Sequence, residues 1–133
     1  MRRLILLLPA AAVAVLLGGC GGGGGGNPNQ GNLGEQAGVS GNTVTIIEKD
    51  FTLTPSSISL PKPGTYTFKG VNEGAQTHSL EVEGKGIEAR GKNIGFGKET
   101  SFTVKLTKAG KYDMYCPVDG HRSFGMEGTV KVG

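Results

Sequence analysis

Tyr115-Cys116-Pro117-Val118-Asp119-Gly120-His121-Arg122-Ser123-Phe124-Gly125-Met126, running into Glu127-Gly128-Thr129-Val130-Lys131-Val132, is the stretch from which the rest of the chain can be read. A cysteine, a histidine and a methionine fall within eleven residues there, and the only other histidine of the sequence, His78, stands well upstream. Just before this stretch, Gly110–Cys116 alternates apolar and polar residues. A strand there puts Tyr112, Met114 and Cys116 on one face and brings the thiol in from the core side at the strand end. Met114 reads as core, the usual place of a lone methionine.

Working outward, no long stretch from Thr43 onward shows helical periodicity. Short runs rich in Val, Ile, Thr, Tyr and Phe recur between turn signals such as Pro61-Lys62-Pro63-Gly64, Asn72-Glu73-Gly74 and Thr107-Lys108-Ala109-Gly110. That is the pattern of an all-β, Greek-key β-sandwich. The expected strands are seven: Thr43–Glu48, Ser57–Leu60, Thr65–Asn72, His78–Glu83, Thr100–Leu106, Gly110–Cys116 and Glu127–Val132. Between Glu83 and Thr100 the chain is glycine-rich, but its spacing is not that of a phosphate-cradling loop. It reads as a long surface connection with one turn of helix near Ile87–Ala89. In this scheme His78 opens one strand and Cys116 closes another, so both stand at loop ends, where a sandwich gathers its functional residues.

One thiolate, two imidazoles and one thioether form the donor set of a trigonal His₂Cys copper site with a long, weak axial Met. Taken singly, each residue has an ordinary reading: a surface His, a buried Cys, a Met filling a gap. Jointly, His78, Cys116, His121 and Met126 are candidate metal ligands. Zinc would accept the Cys and His, whereas the soft thioether selects copper. Because Cys binds as thiolate and His as neutral imidazole, copper binding should release protons and weaken in acid.

With these residues in place, the Cys-x₄-His-x₄-Met spacing and the Gly-His and Gly-Met-x-Gly pairs resemble the copper loop of the cupredoxin (plastocyanin/azurin) family, in its rusticyanin/sulfocyanin type. The resemblance covers roughly Thr43 to Val132, and only the loop and the His78 region are specific. It implies one Cu(I)/Cu(II) ion held by His78, Cys116 and His121, with Met126 axial. It also implies a His121 edge that reaches the surface, and backbone N–H groups of Ser79 and Val118 aimed at the Cys116 sulfur; Pro117 has no N–H to give. Many relatives have Asn where this chain has Ser79, and Asp119 and Arg122 add charges beside His121. The implied function is electron transfer between redox protein partners by a monomer. A copper carrier or buffer using the same four residues is the alternative. An enzyme is not expected: both histidines are already assigned, which leaves none for further copper centres or a Ser-His-Asp set.

The N-terminus reads as an export signal. Met1-Arg2-Arg3 is positive, Leu4 to Leu17 is an apolar run of 14 residues, and Leu17-Gly18-Gly19-Cys20 resembles a bacterial lipobox cleaved before a lipidated Cys20. The run is shorter than the roughly 20 apolar residues a membrane-spanning helix needs. The rival reading is a plain signal peptide, with Cys20 free or disulfide-bonded to Cys116, and such a disulfide would consume the thiolate. Residues 20–42, with Gly21 to Gly26, form a tether with a reach of about 25 Å by random-coil scaling. The expected organisation is therefore a signal peptide over 1–19, the tether, and one domain over 43–133. The product would be lipid-anchored to the outer face of the cell membrane or held in the periplasm. Of 14 basic and 11 acidic residues, loss of Arg2 and Arg3 leaves 12 against 11, a net charge of +1. That balance gives no support to nucleic-acid binding.

Overall fold

The computed structural model of the protein describes residues 38–133; the expected signal peptide, Cys20 and the tether up to residue 37 lie outside the described residues. The strands are β1 (Val39–Ser40), β2 (Thr43–Lys49), β3 (Thr52–Thr54), β4 (Ser57–Leu60), β5 (Gly64–Asn72), β6 (Glu81–Gly84), β7 (Ile87–Arg90), β8 (Glu99–Leu106), β9 (Gly110–Tyr115) and β10 (Glu127–Val132), with one 3₁₀ turn at His121–Phe124. One sheet runs β1-β2-β5-β8 with β3 added to β2; the other runs β4-β10-β9-β6-β7. Neighbours are antiparallel except β2 with β5 and β4 with β10.

Two-residue alternation builds the core. Val44, Ile46 and Glu48 of β2 point inward, as do Tyr66, Phe68 and Asn72 of β5. The apolar ones, Val44, Ile46, Tyr66 and Phe68, form one buried cluster with Ile58, Val82, Tyr112, Met114 and Val130 of the other sheet, which also takes in Cys116 and Met126. Each fully buried large apolar side chain contributes about 1.5–3 kcal/mol, which lets so small a sandwich hold its loops in place.

The all-β sandwich is as the sequence implied, with ten strands among the described residues where seven were expected. β1 lies on the tether side of the expected boundary at residue 43. The glycine-rich stretch is corrected: Ile87–Arg90 is a strand, not a turn of helix, and it pairs with β6. Lys85 (φ 51°) and Gly86 (φ 85°) form the two-residue connection, and left-handed values at both positions suit the twist of a tight hairpin. The signal was obscure because lysine stands where Asn or Asp would mark such a turn. The strand expected over His78–Glu83 is also shorter: ladder pairing begins at Glu81, and His78 forms an isolated bridge with Ile94. Among the described residues no helix is long and apolar enough to cross a membrane.

Candidate metal centre

Register gathers the candidate ligands at one end of the molecule. In the second sheet Tyr115 pairs with Glu81 of β6 on one side and Glu127 of β10 on the other. The residues just beyond those pairs, His78 before β6, Cys116 after β9 and Met126 before β10, therefore emerge side by side. The loop between Cys116 and Met126 is closed on itself, since Cys116 N–H donates to Met126 O (3.0 Å) and Met126 N–H to His121 O (3.2 Å). Within it the 3₁₀ turn that carries His121 is bounded by Gly120 (φ 75°) and Gly125 (φ 99°), left-handed positions that glycine takes without steric cost.

The geometry at the centre is tight and dry. Cys116 Sγ lies 3.9 Å from His78 Nδ1 and 3.6 Å from His121 Nδ1, and the two Nδ1 atoms are 3.2 Å apart. His78, Cys116 and Met126 have no exposed surface, and His121 is 5% exposed. These three His and Cys donor atoms form the one such group of potential metal ligands among the described residues. Bonds of about 2.0 Å to each nitrogen and 2.3 Å to the sulfur, at trigonal angles, separate the donors by about 3.5 and 3.7 Å. The observed spacings match that within a few tenths of an ångström.

Hydrogen bonding explains why the cluster needs a cation. The outer nitrogen of each ring is engaged: His78 Nε2 with Asp50 Oδ1 at 3.1 Å, and His121 Nε2 with Gln76 Oε1 at 3.2 Å. Both partners are acceptors, so each ring carries its proton on Nε2 and turns a lone pair inward from Nδ1. Three lone-pair-bearing atoms then converge with only the Cys116 thiol proton to share. A positive ion at the centre satisfies all three.

Electrostatics agree. Burial pulls the His78 pKa below its ordinary value, against the opposing pull of Asp50, so the ring is neutral and ready to ligate. Burial pushes the Cys116 thiol up, while the backbone N–H groups of Val118 and Ser79 point at its sulfur and favour the thiolate. Asp50 is held below the usual carboxylate range, first by the Gln76 backbone N–H and also by His78.

The four candidate ligand residues thus lie together, with Ser79 and Val118 at the sulfur. Two expectations change. The edge of His121 is not open, being capped by Gln76 and met edge-on by the Phe51 ring at 5.3 Å between centroids. Arg122 does not charge the surface beside His121: its guanidinium bonds Glu83, Asp113 and Glu127 and lies 3.9 Å over the Tyr115 ring. Sequence reading missed Asp50, Phe51 and Gln76. No spacing pattern marks them: Asp50 and Phe51 come from the β2–β3 turn and Gln76 from the loop between β5 and β6, all remote in sequence from the imidazoles they meet.

A family model described as a cupredoxin-like domain matches residues 32–132, and the chain belongs to that family. A comparison with curated protein sequences finds no significant match. Among solved structures, the fold is similar to dithionite-reduced auracyanin from the photosynthetic bacterium Roseiflexus castenholzii, with a TM-score of 0.64 and 18% identity over 71% of this chain and 99% of that one. Auracyanin B aligns with a TM-score of 0.63 and 18% identity over 71% and 91% of the two chains. Auracyanin A, a blue copper protein of Chloroflexus aurantiacus, gives 0.57 and 20% identity over 68% and 99%. At such identities the likeness is one of fold.

Proposed function

We propose that this cupredoxin holds one type 1 copper ion through His78 Nδ1, Cys116 Sγ and His121 Nδ1, with Met126 as the axial ligand, and passes single electrons between redox proteins. The observation that carries the reading is the pair of inward-facing Nδ1 lone pairs 3.2 Å apart beside a buried cysteine sulfur. The donor set selects the metal: thiolate and thioether suit Cu(I), imidazole suits both oxidation states. Bound copper supplies a reversible one-electron couple. The protein's part is to keep the ligands still. The rings are fixed at their outer nitrogens, the sulfur receives two backbone N–H groups, and the loop is closed by main-chain bonds. Little has to move when the charge changes.

Electrons enter and leave on the His121 side, where Phe51 lies against His121 and against Phe124, which is 67% exposed. The chain acts outside the cytoplasm as a monomer, with a lipid on Cys20 and the residues between Cys20 and β1 as the leash to a membrane. The test is the visible spectrum of the protein loaded with Cu(II): an intense charge-transfer band in the parent, absent in Cys116→Ser. Competition with a Cu(I) chelator separates shuttle from carrier. A buried site retains copper for hours, and loss within seconds assigns the protein to copper delivery.

A further inference from the structure

β2 and β3 are joined by only two residues, Asp50 and Phe51, since Lys49 pairs with Thr52. Their side chains reach different imidazoles. Asp50 Oδ1 meets His78 Nε2 at 3.1 Å and accepts the Gln76 backbone N–H at 3.2 Å, while Oδ2 accepts that of Ala75 at 3.3 Å. Through the second of these bonds Asp50 also holds the residue whose side-chain Oε1 receives His121 Nε2. The approach is close enough that a Cβ on Gly74 would stand 2.5 Å from Asp50 Oδ1 and 2.9 Å from His78 Nε2.

Phe51 has φ 63°. The left-handed region is costly for a bulky residue, and a turn selected for its own sake would place Gly or Asn there. Its ring instead meets His121 edge-on at 5.3 Å and tilts against Phe124 at 5.1 Å. Strained backbone persists where the surroundings over-determine it, and here the surroundings are the site itself.

We propose that the Asp50–Phe51 turn is a positioning clamp for both metal-binding imidazoles, and that the Asp50 carboxylate biases the bound copper toward its oxidised state. The proposal rests on the copper reading above. Accepting Nε2–H fixes the ring tautomer and makes Nδ1 a stronger donor, as acceptors behind metal-bound histidines do. A fixed negative charge one imidazole away favours Cu(II) over Cu(I). Because the Asp50 side chain is 39% exposed, solvent screens that charge and the bias is modest.

Three variants of the full-length chain in detergent test the clamp. Asp50→Asn keeps an oxygen that accepts from His78 and removes the charge. The expected result is an unchanged Cu(I) affinity and a Cu(II) affinity weakened by up to about tenfold, a shift toward Cu(I) that is at most about 59 mV for one electron. Asp50→Ala removes the acceptor as well and should weaken Cu(II) binding about 10–100-fold. In the metal-free protein, ¹H–¹⁵N correlation spectra should show His78 as the pure Nε2–H tautomer in the parent and as a mixture in Asp50→Ala. Phe51→Gly relieves the left-handed turn, so its thermal unfolding should stay level or rise, yet copper should leave faster to a chelator. An unshifted potential in Asp50→Asn, a single tautomer in Asp50→Ala, or parent-like copper retention in Phe51→Gly would each overturn the clamp. Should the parent itself show no charge-transfer band, the copper reading falls, and the tautomer measurement still decides whether Asp50 positions His78.

Discussion

His78 and Glu48 are both polar side chains with no exposed surface, and the molecule treats them in opposite ways. His78 has both ring nitrogens placed, one on Asp50 and one toward the centre it shares with Cys116 and His121. Glu48 has neither: both its carboxylate oxygens are buried without a hydrogen-bond partner. It arrives inside because strand alternation carries it there after Val44 and Ile46, and it fills space left by Gly70, where a Cβ would stand 2.5 Å from Oε1. Burial alone raises its pKa to about 7, so protonation is how the fold tolerates it. The contrast shows that burial by itself does not make a site. A buried polar group becomes a ligand when its other atoms are already committed; without that, it becomes an acid that holds its proton.

The contrast can be broken most severely at Cys116. Cys116→Ser should abolish the intense visible band of the Cu(II)-loaded protein, whereas Glu48→Gln should leave that band in place; loss of the band in both variants would mean that Glu48 belongs to the centre. The next largest effect concerns Glu48 and stability. Its folded pKa is raised from 4.5 to about 7, so the folded state binds this proton more tightly than the unfolded one. The stabilisation is complete below the unfolded pKa and is lost as pH rises through the folded value. At about 1.4 kcal/mol per pKa unit, the loss between pH 4.5 and 7 is about 3 kcal/mol. Urea unfolding should show this fall in the parent and not in Glu48→Gln, and equal slopes would overturn the buried neutral carboxyl.

Proton release on loading gives a smaller effect. The Cys116 thiol is pushed up, so binding displaces one proton near neutrality, and Cu(II) affinity measured by competition should fall about tenfold per pH unit toward acid. A pH-independent affinity would show that the sulfur is not a ligand. The smallest expected effect is that of Met126→Leu. It should keep the copper and raise the reduction potential by about 59 mV, a tenfold preference for Cu(I); an unchanged or lowered value would remove the thioether from the site.

The candidate ligands Cys116, His121 and Met126 stood out because their spacing lies within one loop, and His78 because the sequence holds only two histidines. The strand pattern was legible from two-residue alternation, except where a lysine in the left-handed region concealed the β6–β7 hairpin. Asp50 stands 28 residues from His78, and Gln76 stands 45 from His121; no periodicity links positions so far apart. Glu48 closes the expected strand Thr43–Glu48, and alternation specifies which face a residue takes, not what waits on the other side.

The chain alone therefore determined which atoms can grip a metal, since ligand chemistry belongs to residue type and local spacing. Folding decided how those atoms are held: which ring nitrogen faces inward, which carboxylate stands behind it, and which carboxyl is sealed in without a partner. Such matters depend on loops meeting in space, and strand register, not sequence distance, sets where they meet.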